Sequence, residues 1–360
     1  MSRHATATAA SSHAVPHSRP SLGRREEDAA VRVLRSGMLA PGREAAAAAA
    51  LLARLSGCAA AVLLSSGTAA ITLALRALGI GSREEVAIPS YACAAILHAV
   101  RDAGARPLVC DIEPETLALD PEDVTLRSRG PVRAVVLVHP FGLPVRAEPF
   151  RARGHLVVED CAQAAGALDR NAPAGSRGDV AVFSFAPTKV LTCGGPGGGL
   201  ASPRTSIVDE ARDRARNDEK DDDRPRTNAL MGDLHAAIAA VQMERLVEFR
   251  DRRIVIARLY DEAFARLGLR RPSPPPGVEP MPYRYVIRVP EATRLIEALN
   301  RRGIGARRPV YRPLHRLARS EGDYPHTERA HRTLVSLPLY PALSDAEAAR
   351  VITEVGRCLS

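Results

Sequence analysis

The amino-acid sequence alternates between short apolar runs and stretches with the spacing of an amphipathic helix. Six runs have the length and the aliphatic composition of buried strands. They cover residues 59–64, 85–88, 106–111, 132–138, 155–159 and 180–185. Helical patterns lie between several of these runs, for example at residues 69–78 and 92–103. Strands that alternate with helices predict an α/β fold with a mainly parallel, doubly wound sheet.

The pattern also predicts how the chain is divided into domains. Residues 1–22 are small and polar and lack an apolar core, which predicts a disordered tail and not a signal peptide. Residues 23–245 form the predicted large domain, which begins with two helices separated by a turn at 37–42. Residues 246–360 form a smaller C-terminal α/β domain that includes the linking helix.

Several elements of this smaller domain can be predicted individually. One long amphipathic helix is expected from 232 to 267, followed by a proline-rich connector at 272–280. The run YRYVIRV predicts a strand and residues 292–302 predict a helix. The closing helix is expected over 344–358, with Ser344 as its N-cap.

Composition and charge exclude some classes of function. The chain has 360 residues, of which 46% are hydrophobic, and this is enough for a large core. Its net charge of +9 suits an anionic substrate or a nucleic acid. The arginines, however, are scattered among acidic residues and form no block with aromatic residues, so we expect no nucleic-acid partner. No apolar run is long enough for a membrane span, so we expect no membrane association.

The cysteines predict neither a metal site nor disulfide bonds. The six cysteines form no CxxC pair and no cluster with histidines. Several lie in apolar runs, where a free cysteine packs as a small hydrophobic residue. We therefore expect a reduced, cytoplasmic protein without a bound metal.

A first candidate for chemistry is the turn Ser65-Ser66-Gly67-Thr68, between a predicted strand and a predicted helix. Backbone N–H groups at a helix start bind phosphate, and a glycine lets the backbone approach closely. The same residues also suit an ordinary helix cap, so this signal leaves both interpretations open.

A second and a third candidate follow later strands. Asp160 comes after the apolar run HLVV, where a buried carboxylate needs a partner such as a protonated ring nitrogen; it could also simply cap a helix. Lys189 lies in DVAVFSFAPTKVLTCGGPGGGL and is one of few lysines in the chain. It is either a surface residue or a reactive amine. A phosphate turn, a strand-end aspartate and a lysine together meet the requirements of pyridoxal phosphate.

From about residue 37 to the C-terminus, the chain resembles the DegT/DnrJ/StrS family of sugar aminotransferases. The matching stretches are LLSSGTAAITLALRALGIG, EVAIPSYACAAILHAV, GARPLVCDIEPETLALDPEDV, VVEDCAQAAGA, GDVAVFSFAPTKVLT, RTNALMGDLHAAIAAVQMERL and SLPLYPALSDAE. The resemblance implies the aspartate-aminotransferase type of fold and pyridoxal 5′-phosphate as cofactor.

The resemblance also implies roles for individual residues. Lys189 would form the Schiff base with the cofactor and move the proton, and Asp160 would keep the ring nitrogen protonated. The remaining cofactor contacts would come from Gly67, Thr68, Cys93, Gln163, Ser184 and, from the partner subunit of a homodimer, Asn228. Arg312 and His315 would line the substrate pocket.

Besides Pro196, which takes the place of a usual glutamate in the turn after Lys189, two positions depart from the family pattern. The residue that stacks on the cofactor ring is usually aromatic, and here it is Cys93. An arginine usually follows Asn228 by two residues, and here Leu230 takes its place. The first departure bears on how the cofactor is held, and the second on which substrate is bound.

The predicted function is amino transfer from an amino acid donor, glutamate or glutamine, to a carbonyl acceptor. The resemblance implies a keto-sugar or keto-cyclitol acceptor in the biosynthesis of an aminosugar, an antibiotic or another secondary metabolite. Two alternatives stay open at this point. The chain could catalyse another reaction with the same cofactor, such as an elimination, or act on a non-sugar carbonyl compound. It could also be a non-catalytic binder of the cofactor, although a binder has no need of both Asp160 and Lys189.

Overall fold

A seven-stranded sheet forms the centre of the chain. The computed structural model describes residues 14–359 apart from 219, 270, 273 and 275. The strands, in chain order, are β1 (Ala60–Leu64), β2 (Glu85–Pro89), β3 (Arg106–Cys110), β4 (Val132–Val138), β5 (Leu156–Asp160), β6 (Leu168–Asp169), β7 (Ala172–Pro173), β8 (Val180–Ser184), β9 (Gly198–Ser202), β10 (Val278–Glu279), β11 (Tyr285–Arg288) and β12 (Leu334–Leu337).

Helices cover this sheet and build the rest of the chain. They are α1 (Arg24–Ser36), α2 (Arg43–Ser56), α3 (Gly67–Ala77), α4 (Ala94–Asp102), α5 (Pro121–Arg127), α6 (Glu148–Ala152), α7 (Thr205–Arg214), α8 (Asp233–Glu244), α9 (Leu246–Ala265), α10 (Ala292–Arg301), α11 (Leu314–Ala318), α12 (Pro325–Thr333) and α13 (Asp345–Leu359), with a 3₁₀ turn at Pro140–Gly142.

The central sheet is mainly parallel, as the sequence predicts. Its strand order is β1-β9-β8-β5-β4-β2-β3, and only β9 runs antiparallel to its neighbours. Each of the six predicted apolar runs forms a strand of this sheet. Most of their residues are buried because helices cover both faces. The pattern does not predict strand β9, because its sequence GGLAS lacks the β-branched residues that mark a strand.

The long helix predicted over 232–267 is wrong in one respect, because the structure divides it into α8 and α9. The break falls at Arg245, which caps α8 and whose guanidinium donates to the buried carboxylate of Glu26 in α1. The apolar periodicity continues across the break, so the pattern alone does not reveal it. The cap predicted at Ser344 is confirmed, since its hydroxyl accepts the N–H of Glu347 at 3.2 Å.

The disordered tail predicted for residues 1–22 is also wrong in part. Residues 1–13 lie outside the described residues, but 14–22 are ordered against the C-terminal part of the chain. Val15 is 2% exposed, donates its N–H to Gly303 and accepts the N–H of Gly305. Sequence composition missed this segment because its backbone is held by hydrogen bonds to residues almost 300 positions away.

The C-terminal part has a core of its own. Helices α9, α10 and α13 contribute to an apolar cluster together with the antiparallel pair β11 and β12, and Val15 joins this cluster. The predicted domain limits at 245 and 246 stay a prediction. Of the predicted connector at 272–280, residues 273 and 275 lie outside the described residues. Within the described ranges, no helix has both the length and the apolar character required to cross a bilayer.

Candidate active site

The candidate residues converge because the strands that precede them point the same way. Strands β1, β4, β5 and β8 all end at one edge of the sheet, which is where open α/β sheets bind ligands. Gly67 follows β1, Asp160 ends β5 and Ser184 ends β8. Together with Thr68, Cys93, Gln163 and Lys189, these residues line one cavity of about 200 Å³. Residues more than 120 positions apart in the sequence thus share one site.

One end of the cavity is suited to an anion. Helix α3 begins there, and its cap residue Ser66 already accepts the N–H of Ala69 at 3.0 Å. The N–H groups of Gly67 and Thr68 have no acceptor within the described part of the chain. A Cβ on Gly67 would lie 2.9 Å from Cβ of Ser184, so glycine is required for this approach. Two free donors at a helix start and the nearby hydroxyl of Ser184 fit a phosphate group.

The opposite side of the cavity presents the carboxylate of Asp160. Its Oδ1 accepts the N–H of Ala162 at 3.0 Å, while Oδ2 accepts no hydrogen bond from the described residues. Burial raises the pKa of Asp160, although the charge of Lys189 and the Ala162 bond oppose this rise. A buried carboxylate with a free oxygen is suited to bind a cationic N–H group.

Lys189 lies on the short turn after β8, between that strand and the glycine-rich stretch. Its backbone N–H donates to the carbonyl of Ala186 at 2.9 Å, which fixes the turn. The side chain is half-buried, and Nζ lies 5.6 Å from the ring centroid of Tyr283. Lys189 therefore lines the cavity, and its role as a reactive amine stays a prediction.

Gln163 and Cys93 complete the lining. Oε1 of Gln163 accepts the N–H of Phe141 at 3.0 Å, which leaves its amide N–H₂ group to donate into the cavity. Cys93 is the N-cap residue of α4. It lines the cavity and is exposed to it. Burial raises the pKa of the Cys93 thiol, so it is present as the neutral thiol.

The model of the DegT/DnrJ/EryC1/StrS aminotransferase family matches residues 20–356. The chain belongs to this family. Aminotransferases of the DegT/DnrJ/EryC1/StrS family use pyridoxal 5′-phosphate as cofactor. Membership confirms the resemblance found in the sequence and the prediction that the chain is a pyridoxal-phosphate-dependent aminotransferase.

Solved structures agree with the family. The aminotransferase TlmJ from Streptoalloteichus hindustanus is 33% identical over 96% of this chain and 99% of TlmJ, with a TM-score of 0.90. DesV from S. venezuelae, solved in complex with a ketimine intermediate, is 31% identical over 93% of this chain and 94% of DesV, with a TM-score of 0.87. The sugar aminotransferase CalS13 from Micromonospora echinospora is 26% identical over 95% of this chain and 99% of CalS13, with a TM-score of 0.87. The predicted fold class is thereby confirmed.

The residues of this family member fit pyridoxal phosphate. The free N–H groups of Gly67 and Thr68 suit its phosphate, and the open oxygen of Asp160 suits its protonated ring nitrogen. The N–H₂ group of Gln163 suits the ring hydroxyl. These donors and acceptors match the charges of the cofactor at both ends of the cavity.

A buried hydrogen-bond network surrounds Glu159, the residue before Asp160. Nε2 of His139 lies 3.0 Å from Oε2 of Glu159, and Nδ1 accepts the N–H of Val145 at 3.0 Å. Burial raises the pKa of Glu159, but the hydrogen bond from His139 and those from backbone N–H groups outweigh burial and lower it. His139, Glu159 and Cys161 have the proximity of a metal site. The nitrogens of His139 and the oxygens of Glu159 are engaged with each other and with backbone N–H groups, so we assign these two residues a structural role.

Three predicted site residues lie outside the cavity. Arg312 is exposed and lines a neighbouring cleft. His315 lines neither the cavity nor the cleft. Its Nδ1 lies 2.6 Å from Oγ of Ser90, and its Nε2 lies 2.9 Å from Oε1 of Glu328. This placement does not support the predicted substrate contact of His315. Asn228 is exposed beside the end of β1, and its predicted role belongs to the site of a partner subunit.

Leu230, at the usual arginine position, pairs with Leu64 and packs against the core. It makes no polar contact that could replace an arginine. Sequence reasoning also missed Tyr283, which lies near the lysine. No local motif marks Tyr283, since only the folded chain brings it close to residue 189.

The buried carboxylate of Asp160 leads to a prediction about stability. Its pKa is raised in the folded state, so as pH increases the unfolded chain releases this proton first and the folded state loses stability. We expect Asp160→Asn to raise the thermal unfolding temperature of the cofactor-free protein at pH 7 by a few degrees. The gain in unfolding temperature should vanish in acid, below the pKa that Asp160 has in the unfolded chain. The same substitution should lower the affinity for the cofactor.

Asp233→Asn is the matched control. Asp233 is also buried, but its carboxylate accepts N–H bonds from Gly42, Glu44 and Ala45. Its substitution should therefore lower the unfolding temperature. If Asp160→Asn is less stable than the wild type at every pH, the carboxylate of Asp160 stabilises the fold, which contradicts the prediction.

Proposed function

We propose that this chain transfers an amino group from an amino acid to the carbonyl group of a sugar or a related cyclic compound. The observation that carries the proposal is that Lys189, Asp160 and the start of α3 face the same cavity. An amine, a carboxylate and a phosphate site are the groups that a pyridoxal phosphate enzyme needs. Family membership and the sugar aminotransferase CalS13 support a sugar acceptor.

Each residue contributes a separate part of the reaction. Bound pyridoxal phosphate supplies an electron sink that stabilises negative charge on the adjacent carbon of the amino acid. Asp160 would keep the ring nitrogen protonated, and the N–H groups of Gly67 and Thr68 would anchor the phosphate. Lys189 would hold the cofactor through Nζ in the resting enzyme and would move the proton during transfer.

A basic cleft next to the cavity supports an anionic acceptor. The cleft has a volume of about 1050 Å³, and Thr188, the neighbour of Lys189, lines it. Its charged residues are Arg284, Arg307, Arg308, Arg312 and Arg316, against one acidic residue, Glu297. Such a concentration of positive charge attracts phosphate or diphosphate.

Two of these arginines are available to a ligand. Arg316 pairs with Glu328, and Arg308 donates to the carbonyl of His331 and to Thr293. Among the described residues, Arg307 has no side-chain hydrogen bond or ion pair, and Arg312 makes only a long bond of 3.5 Å to the carbonyl of Arg316. We infer that they bind the phosphate groups of a nucleotide-linked keto-sugar. Uncharged keto-cyclitols fit the cleft less well.

We further propose that the amino donor is glutamate or glutamine and that the product serves secondary metabolism, such as the biosynthesis of an antibiotic. Both proposals rest on the family. A cytoplasmic location is proposed from the cysteines, all six of which are free thiols, as expected in a reducing compartment.

We also propose a homodimer in which each subunit completes the site of the other. Asn228 is exposed, whereas the next residue, Ala229, is buried and accepts the N–H of Ser65 at 2.7 Å. The backbone at this position is thus fixed while the side chain is free to reach another subunit.

The first prediction from the proposed function concerns Lys189. Lys189→Ala should abolish the visible absorption band of the lysine-bound cofactor and lower transamination about 10³-fold or more, because the amine both binds the cofactor and moves the proton. The wild-type band should be bleached by glutamate or glutamine. Absorption spectra before and after adding each donor measure both effects.

Lys220→Ala is the control for this experiment. Lys220 is the other lysine of the chain and pairs with Asp213 on the surface. The Lys220→Ala substitution should leave the absorption band of the cofactor and the rate of transamination unchanged. A wild-type band that no amino donor bleaches would instead favour a reaction other than amino transfer.

The second prediction concerns the basic cleft. Arg312→Gln should raise KM for a nucleoside-diphosphate-linked keto-sugar about tenfold or more, because a charged contact with phosphate is lost. Steady-state kinetics measure this, with kcat changing less than KM. Arg294→Gln removes an exposed arginine of α10 outside the cleft and should have no effect. Equal KM values for Arg312→Gln and wild type would argue against an anionic acceptor in this cleft.

The third prediction concerns the shared site. Asn228→Asp should inactivate the enzyme, because it places a carboxylate near the cofactor phosphate of the partner. Mixing it with Lys189→Ala under exchange conditions should restore about a quarter of wild-type activity, since half of the dimers carry one intact site of two. A mixture no more active than the separate variants, or a monomer in sedimentation analysis, would refute the shared site.

A further inference from the structure

The aromatic ring of Tyr283 faces the amine of Lys189. Nζ lies 5.6 Å from the ring centroid, within the distance at which a cation is attracted to an aromatic face. Tyr283 is buried, with 6% of its surface exposed. It comes from the segment before β11 in the C-terminal part of the chain, whereas Lys189 follows β8 of the central sheet. The contact therefore joins the two parts of the chain at the reactive amine.

A second cation holds the phenol in place. Nη2 of Arg284 donates to the hydroxyl of Tyr283 at 3.0 Å, and the guanidinium carbon lies 4.6 Å from the ring centroid. Arg284 in turn donates through Nη1 to Nδ1 of His17 at 2.7 Å. Nε2 of His17 lies 2.9 Å from Oγ of Ser336 in β12. The ordered N-terminal segment is thus connected to the ring through one arginine.

His17 can accept this bond because it is neutral. Burial, followed by the charges of Arg284 and Arg307, lowers the pKa of His17 to about 3. A protonated imidazole would have no lone pair at Nδ1 and would repel the guanidinium. The hydrogen bonds from Ser336 through His17 to Arg284 are therefore intact over the whole range of physiological pH.

The backbone at Tyr283 is fixed just as firmly. Its N–H donates to the carbonyl of Phe141 at 3.2 Å, and its own carbonyl accepts from Nη1 of the buried Arg253 at 3.2 Å. Gly142 has φ of +93°, and a Cβ there would lie 1.6 Å from the carbonyl oxygen of Met281, so this contact requires glycine. The N–H of Phe141 binds Gln163, which ties the same turn to the cofactor side of the cavity.

The titratable groups near the lysine can be named for the described part of the chain. Asp160 and the Cys93 thiol approach Lys189 from the cavity wall, and Tyr283 approaches from the C-terminal part. Burial alone would raise the pKa of Tyr283, but the charges of Lys189 and Arg284 outweigh burial and lower it. The phenol oxygen is thus polarised toward negative charge, which favours a nearby cation.

We propose that Tyr283 is a positioning residue for Lys189: its ring holds the free amine beside the cavity, and Arg284 and His17 hold the ring. The inference rests on the proposed role of Lys189 as the reactive amine. To move a proton during transamination, this amine would have to stay within reach of the cavity while it is not bound to the cofactor. A flexible lysine without such a contact would spend most of its time elsewhere.

Selective labelling of amines tests the contact in the cofactor-free protein. The chain has only two lysines, Lys189 and Lys220, so each can be followed by mass spectrometry after brief treatment with acetic anhydride. Tyr283→Leu should make Lys189 react about threefold to tenfold faster at pH 8, because the amine loses its contact with the ring. Lys220 should react at the wild-type rate and serves as the internal reference.

Three further variants separate positioning from loosening of the fold. Tyr283→Phe keeps the ring, so Lys189 should be labelled within about twofold of the wild-type rate. In His17→Ala, the labelling rate of Lys189 should lie between those of the Tyr283→Phe and Tyr283→Leu variants. Tyr285→Leu removes a buried ring two residues away, which contacts Tyr260 and Phe264 and not the lysine. It should leave Lys189 labelling unchanged. Wild-type labelling in Tyr283→Leu, or equal acceleration in Tyr285→Leu, would overturn the proposal.

The second measurement uses the cofactor-loaded enzyme. Tyr283→Leu should slow the single-turnover reaction with the amino donor about tenfold, while the cofactor Kd changes less than about threefold. An unchanged rate would overturn the positioning role. If the wild type binds no cofactor, the proposed function fails, but the labelling of cofactor-free protein still decides whether Tyr283 holds the amine.

Discussion

The buried carboxylate of Asp160 sets the condition that the rest of the site meets. It lies at the end of a central strand, where water is excluded and its charged form is disfavoured. The protein supplies one N–H bond, from Ala162, and the attraction of Lys189 across the cavity. The open oxygen matches the protonated ring nitrogen of pyridoxal phosphate, which is the partner that the proposed function gives to Asp160.

The neighbouring carboxylate, Glu159, has the opposite role for a simple geometric reason. Successive residues of a strand point to opposite faces, so Asp160 faces the cavity while Glu159 faces away from it. Glu159 receives the N–H groups of Gly175, Arg177 and Gly178 as well as His139. Two adjacent acids at one strand end therefore differ in chemistry because one is fully hydrogen-bonded and the other is not.

The site also depends on contacts between distant parts of the chain. Strand order brings the phosphate donors of α3 beside Ser184, whereas Tyr283, Arg284 and His17 approach from the C-terminal part. The basic cleft lies on the same side, next to Thr188. Under the proposed function, the central sheet would provide the cofactor contacts, and the C-terminal part with the N-terminal segment would surround the amine and the acceptor.

The order of strands and helices, and the residues that follow the strand ends, can be inferred from the amino-acid pattern alone. Apolar runs mark buried strands wherever they are long enough, and parallel strands must bring their carboxyl ends to one edge. Gly67, Asp160 and Lys189 can therefore be assigned from their positions after predicted strands. The motifs around them are sufficient to recognise the family.

What lies opposite these residues depends on the packing of the folded chain. The glycine-rich β9 has no strand signal of its own, and it pairs with β1 and β8. A Cβ on Gly198 would lie 2.4 Å from the carbonyl carbon of Ser66, so only the folded chain explains the glycine. His315 has the chemistry of a ligand residue, but Ser90 and Glu328 engage both of its nitrogens. The contact between Tyr283 and Lys189 and the order of residues 14–22 depend on partners far away in the sequence. Local composition reports propensity and burial, whereas such partners are set by the packing of the whole chain.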